Sequence, residues 1–308
     1  MNRRTLLSTG ILICLGLFLS APSWAGQVVT KQDKQWAKKV IQEEGALKAA
    51  PAKNTLAVLY FKNQTEQSEL DPLQKGIALM LITDLSKVKD LQVVERVQLQ
   101  ALVEELGLGA SGLVSQNTAP RVGRLLGAQW LLGGDILTTK GEIKKLRLQS
   151  NLLDVPAQKT LGEPSAEGDW AELFRLEKDL LFELINLLRI GVTPQEEAQL
   201  RIPCSTNTRA LIALFKAVDA GDRENYARAA EFYETAIKED GKICIANEAL
   251  EELRVLGLIT GQKKSLDLLR SLRDQTSLTN QLTTKEVQKR VPPATSIPTP
   301  ISIGITFP

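Results

Sequence analysis

The sequence predicts a mixed α/β domain followed by an all-α helical region, and three observations carry that prediction. Thr55 to Phe61 (TLAVLYF) is a nearly continuous apolar run, which suits a strand buried on both faces. Leu70, Leu73, Ile77, Leu81, Leu85 and Val88 then recur at spacings of three and four, the pattern of an amphipathic helix. Beyond a segment punctuated by Gly191, Pro194 and Pro203, every apolar pattern up to Leu282 is helical.

From the amino terminus, Arg3 and Arg4 precede an apolar run from Leu6 to Leu19. Ser23 and Ala25 supply the small-x-small pattern of a signal-peptidase site, so residues 1–25 read as a secretory signal peptide cut before Gly26. The run falls short of the roughly 20 residues of a membrane span. An uncleaved anchor is the alternative. Cys14 does not make a lipobox, because Ile13 precedes it where a small residue belongs and it lies inside the apolar run; no lipid anchor is expected.

Residues 26–53 form a polar lead-in with a short helix around Lys34 to Leu47. The α/β domain spans 54–189. After the first strand, Asn63 to Thr65 turn the chain into the helix already named. Leu91 to Val94 is a short strand, and Leu99, Leu102, Val103 and Leu106 mark the next helix. Gly107 to Gly112 is a flexible break; as a phosphate loop it lacks the lysine and follows a helix instead of a strand. Asn117 or Thr118 can cap a helix carrying Val122, Leu125 and Leu126. Trp130 to Ile136 is a third strand, with Trp130 expected in the core. Leu146 to Leu152 partly alternates and pairs, through a turn near Pro156, with a strand around Thr160. Asp169 and Glu172 resemble a capping box opening a helix that runs to about Arg189, with Trp170 packing at its start.

A linker covers 190–205 and a helical domain 206–275. Leu211 to Val218, Tyr226 to Ile237 and Ala246 to Leu256 each carry an apolar helical face, with a break expected at Gly221 and Asp222, and Leu266 to Leu272 suggests a fourth. Residues 276–308 form a proline-rich tail. Its end alternates Ile301, Ile303 and Ile305 with small polar residues, so Ile301 to Phe307 reads as an edge strand or as a disordered tail.

Composition excludes several classes of function. Removing residues 1–25 takes away two arginines and no acids, leaving 36 basic and 36 acidic residues. A neutral chain with few aromatics lacks the basic footprint of a nucleic-acid binder. There is no histidine, so His-based acid–base catalysis and His metal ligation are absent. Glu43–Glu44, Glu104–Glu105 and Glu251–Glu252 are adjacent pairs whose members point to different sides of a helix, as on solvated faces, so no catalytic residues, cofactor or metal site is assigned. Cys204 and Cys244 remain; two cysteines in an exported chain read as a candidate disulfide.

Several blocks of residues 55–188 together resemble the CsgG-like family, which includes the curli-secretion channel and relatives of the TolB amino-terminal domain. They are TLAVLYF with the turn KNQT, DPLQKGIALMLITDL, LQVVERVQLQALVEEL, RVGRLLGAQWLLGGDI and LRLQSNLLDV. Residues 207–240 resemble a tetratricopeptide-like helical hairpin, with Gly221, Tyr226, Ala230, Phe232 and Ala236 near its small and aromatic positions. Asp240 and Gly241 stand where that repeat usually has proline. Cys204 precedes the first helix of that hairpin and Cys244 follows the second, so an antiparallel pair brings them to one end. Two free buried thiols are the alternative.

A curli-type channel needs membrane strands of about 9–11 residues with an apolar outer face. Asp135 to Asp169 holds only a short hairpin with Arg147, Gln149, Ser150 and Asn151 among its residues. The expectation is therefore a non-enzymatic periplasmic protein, peripheral to the outer membrane, acting as an assembly, secretion-associated or docking module. Its partners would be envelope proteins, further copies of itself included. Tyr226, Phe232 and Tyr233 are the candidate partner face. The alternative is a periplasmic small-molecule or glycan binder, with a hydrolase as a third class.

Overall fold

In a computed structural model, strand β1 (Thr55–Asn63) is buried over its first seven residues, as its apolar run requires. The structure describes residues 26–46, 51–108, 118–139 and 142–259. The signal segment 1–25, Gly109 to Asn117 of the glycine-rich break and cap, the helix expected at 266–272 and the tail 276–308 with its terminal strand lie outside them.

Strand β1 pairs in parallel with β2 (Gln92–Val93) on one side and with β3 (Trp130–Thr139) on the other. Helix α1 (Lys31–Gln42) precedes β1, opened by a capping box between Thr30 and Asp33. Helix α2 (Pro72–Leu85) connects β1 to β2; α3 (Arg96–Glu105) and α4 (Ala119–Leu125) lie between β2 and β3. Strand β4 (Glu142–Asp154) runs antiparallel to β3. Its other edge is shared by β5 (Lys159–Gly162), which pairs with 152–154, and β6 (Ser165–Asp169), which pairs with 145–149. The sheet order is β2-β1-β3-β4-β5. This is the mixed parallel and antiparallel sheet that the order of elements predicts.

Leu146, Leu148, Ser150 and Leu152 of β4 are buried, whereas Lys145, Arg147 and Gln149 are exposed. The two-residue period therefore separates a packed face from an open one. The packed face lies beneath α5 (Leu173–Leu188), which also rests on β6 and α2. Trp130 is buried, and Trp170 packs half-buried against the core.

After α5 come α6 (Pro194–Leu200), α7 (Thr208–Asp222), α8 (Tyr226–Glu239) and α9 (Ala246–Val255). The apolar faces of α7, α8 and α9 continue the core of the sheet domain, so the two parts share one hydrophobic cluster. Helix α7 lies on α2. A Cβ on Gly76 would sit 2.2 Å from the Phe215 ring, so this crossing requires glycine at that position.

Several expectations need correction. Strand β3 reaches Thr139 and β4 spans 142–154, so the hairpin is longer than its alternating pattern indicates. Strand β6 (SAEGD) was not foreseen: it has neither β-branched nor aromatic residues, and its pairing with β4 overrides weak propensity. The segment 190–205 contains α6, because Pro194 stands at the first helical turn, where its missing N–H costs nothing, and Thr193 with Glu196 completes a capping box. The Asp169–Glu172 box does not form; Glu172 instead pairs with Arg175 at 2.5 Å, and a 3₁₀ turn precedes α5. Helix α7 continues through Gly221 and Asp222 before the chain turns at Glu224, in the left-handed region.

Candidate functional site

Tyr226, Phe232 and Tyr233 do not form one accessible face. Tyr233 is 3% exposed and packs in the core of the helical region, so it is withdrawn from any partner surface. Tyr226 and Phe232 are half-buried. The Arg228 guanidinium lies 4.4 Å from the centroid of the Phe232 ring, a cation–π contact that already covers part of it. On one helix, residues 226 and 233 are seven apart and share a stripe, but that stripe is the one that packs inward.

Cys204 and Cys244 are joined in a disulfide, with Cα atoms 4.8 Å apart. Beside it, the Cys244 N–H donates to the Cys204 carbonyl at 3.1 Å. The Asn207 amide caps α7 and donates to the Glu239 carbonyl, so the same end of the hairpin is tied three ways. Ser205 donates to Asp240, whose carboxyl is held below its usual range chiefly by that bond.

The seam between the sheet domain and α7 contains a buried charge cluster that the sequence reading missed. The Arg96 side chain, 1% exposed, sets Nη1 3.0 Å from both carboxylate oxygens of Asp222. Lys75 reaches Asp222 at 2.8 Å and Asp219 at 3.2 Å. The Arg96 guanidinium also bonds the side chain and carbonyl of Gln27. The Tyr60 hydroxyl donates to Gln100 at 2.8 Å. Burial pushes the Tyr60 and Tyr233 hydroxyls up, so both stay neutral. A second cluster lies between α2 and α5, where Lys178 bonds Asp84 and stands 3.5 Å from Glu177. Glu177 Oε1 has no hydrogen-bond partner, and its carboxyl is pushed up to about 8 by burial and then by the Asp84 charge. The Glu196 carboxyl is drawn down to about 2, first by the Thr193 hydroxyl and then by the backbone N–H groups of Lys89 and Thr193.

Each pair of adjacent acids has at least one member with a structural partner. Glu44 pairs with Arg121, Glu104 accepts from Gln100, Glu251 pairs with Arg254, and Glu252 accepts the backbone N–H groups of Gln27 and Val28. Among the described residues no group of three or more His, Cys, Asp or Glu side chains is placed to hold a metal ion, and no helix is long and apolar enough to cross a membrane.

The open face of the sheet forms a cleft of about 800 Å³. Its floor is Leu131, Gly133 and Asp135 of β3 beside their pairing partners Leu153, Asn151 and Gln149 of β4. Ala119 and Pro120 at the start of α4 form one wall, and Gln158, Thr160 and Glu163 another. Asp135 accepts from Gln64 at 3.1 Å, and Asn151 donates to Thr160 at 3.2 Å. A bulge in β1 lies opposite Gly133: the pairing passes from Val58↔Leu132 to Phe61↔Gly134, leaving an extra residue on β1.

The family model described as "Curli production assembly/transport component CsgG" matches residues 37–144. That stretch overlaps the one from which the resemblance was read, and it runs from α1 to the start of β4. A curated protein described as "Putative adenylate cyclase 3", from Rhizobium meliloti (strain 1021), is 26% identical over 150 residues. The match covers 48% of this chain and only 23% of that relative's length. Among solved structures, the LpoB C-terminal domain from Salmonella enterica is matched with a TM-score of 0.29 at 20% identity, over 44% of this chain and 94% of that one. Lipoprotein GNA1162 from Neisseria meningitidis is matched with a TM-score of 0.33 at 15% identity, over 46% and 99%. TolB from Acinetobacter baumannii is matched with a TM-score of 0.30 at 13% identity, over 46% and 30%. Over residues 37–144, then, the chain is similar to a curli assembly and transport component.

Proposed function

We propose that this chain is a non-enzymatic cell-envelope protein that acts as a docking or assembly module at the periplasmic face of the outer membrane and does not itself form a channel. The observation that carries the reading is the match of residues 37–144 to a curli production assembly/transport component. The Cys204–Cys244 disulfide fits a compartment where thiols are not kept reduced. The most perturbed acid, Glu177, lies between α2 and α5 and not in the cleft, which favours packing over acid–base chemistry for it. Against a channel stands β4, whose packed face lies beneath α5 and whose outward positions from 145 to 151 are polar, with Leu153 following. A lipid-facing strand needs apolar outward positions.

Envelope fractionation with chemical cross-linking, non-reducing electrophoresis and mass spectrometry tests the reading. The expected result is recovery in envelope fractions, disulfide intact, in adducts with other envelope proteins. Recovery in the cytosol with two reactive thiols would overturn it. The cleft on the open sheet face supports the second reading, a periplasmic small-molecule or glycan binder. Direct binding of a sugar or metabolite in the absence of protein adducts would select it.

A further inference from the structure

We infer that the cleft on the open face of the sheet receives an extended, largely uncharged peptide segment of a partner protein, laid over Gly133. This deepens the docking reading, on which it rests, by naming the surface and the chemistry of the partner. The first observation is that packing does not require a glycine at 133. A Cβ there would meet Leu59 at 3.5 and 3.8 Å, an ordinary contact, and Gly133 does not occupy the left-handed region. The neighbouring glycine differs: a Cβ on Gly134 would lie 2.5 Å from both the Gln149 carbonyl oxygen and the Phe61 ring. Gly134 is thus required by the core, whereas Gly133 forgoes side-chain packing in the middle of a central strand. A glycine inside a strand often marks a bulge or a close approach by a ligand or another backbone. The bulge in β1 opposite it is a second such mark, since bulges cluster beside functional sites.

The lining selects the occupant. Gln149 and Gln158 make no side-chain hydrogen bond among the described residues, and Lys62 and Glu163 make no ion pair among them. Amide side chains donate and accept together, as a peptide backbone does, so Gln149 and Gln158 can each satisfy one peptide unit. Lys62 stands against Asp135 and Glu163, so the lining carries one net negative charge, which disfavours a phosphorylated or strongly acidic ligand. Among the described residues Tyr60 is the sole aromatic of the lining; it is 2% exposed with its hydroxyl committed to Gln100. A stacked nucleobase therefore finds no ring face here. The volume lies within the usual span of ligand sites, roughly 300–1,000 Å³.

Random-peptide phage panning against the full exported chain tests this, with a glycan array as the competing arm and Gly133→Val as the diagnostic variant. Valine favours the strand and fills the floor, so the variant should fold with an unchanged or raised Tm. Wild-type protein is expected to enrich uncharged peptides that bind Gly133→Val at least about tenfold more weakly, and Gln149→Ala and Gln158→Ala severalfold more weakly. Failure to enrich any peptide, or peptides that bind Gly133→Val equally well, would overturn the inference. So would array glycans whose binding Gly133→Val abolishes, which would assign the cleft to sugars. Envelope cross-links that persist unchanged in Gly133→Val would sink the cleft assignment while leaving the docking reading intact; absence of envelope adducts from wild type would sink the docking reading first.

Discussion

Arg96 and Asp222 lie at 1% and 2% side-chain exposure, where an unpaired charge is costly. Asp222 joins the Arg96 guanidinium and the Lys75 ammonium, so removing it strands two cations. Asp222→Ala is expected to lower the unfolding free energy by about 3–5 kcal/mol, read from urea denaturation; a loss below 1 kcal/mol would mean that water replaces the carboxylate. Gly76 gives a steric counterpart. Gly76→Ala should destabilise by about 1–3 kcal/mol through overpacking against Phe215, and Phe215→Leu in the same chain should recover part of the loss. Glu177 sets a pH dependence. Its folded pKa, about 8, lies above the unfolded value of 4.5, so the stability it contributes is fully present below about pH 4.5 and is lost as pH rises through 8. Thermal midpoints measured from pH 5 to 9 should fall with pH, and Glu177→Gln should flatten that fall. An identical profile in the variant would place the titration elsewhere.

At the level of elements, the hairpin of α7 and α8 depends on closure of its open end. The disulfide spans a sequence separation of 40, for which loop entropy gives about 4 kcal/mol. Cys204→Ser with Cys244→Ser should therefore lose stability on that order, with hydrogen exchange accelerating first at the ends of α7 and α8. Equal exchange in the two proteins would show that the Asn207 and Ser205 bonds suffice. The hairpin was legible in sequence because its apolar faces follow the 3.6-residue period, although the break expected at Gly221 and Asp222 falls at Glu224. Strand β6 was not: Ser165, Ala166, Glu167, Gly168 and Asp169 have no intrinsic strand preference, and only the free edge of β4 makes them one. Helix α6 was legible in principle, since Thr193, Pro194 and Glu196 spell a helix start, but Pro194 and Pro203 together suggested a linker.

For the whole molecule, the α/β part and the helices share one core, so calorimetry should record a single cooperative unfolding transition. Two separated transitions would show that the seam around Arg96 couples them weakly. In planar bilayers the purified mature chain should give no conductance, because the outward positions of β4 from 145 to 151 are polar; reproducible unitary steps would refute the module reading.

Sequence alone determined the order of elements, β6 and α6 excepted, and the two buried faces of β1. It also determined the amphipathic helices and the absence of histidine chemistry, because periodicity and composition are local properties of the chain. It also placed the cysteines at one end of a helical pair. Tertiary structure alone decided that Tyr233 is core, because the faces of a helix become inner and outer only when its neighbours are placed. It decided, too, that Arg96, Lys75 and Asp222 meet, since residues so distant in sequence come together only through the crossing of α7 over α2. The cleft over Gly133 has the same origin. A glycine in a strand is ambiguous in sequence, and its bare side becomes a floor only when β4, the start of α4 and the β5–β6 edge surround it.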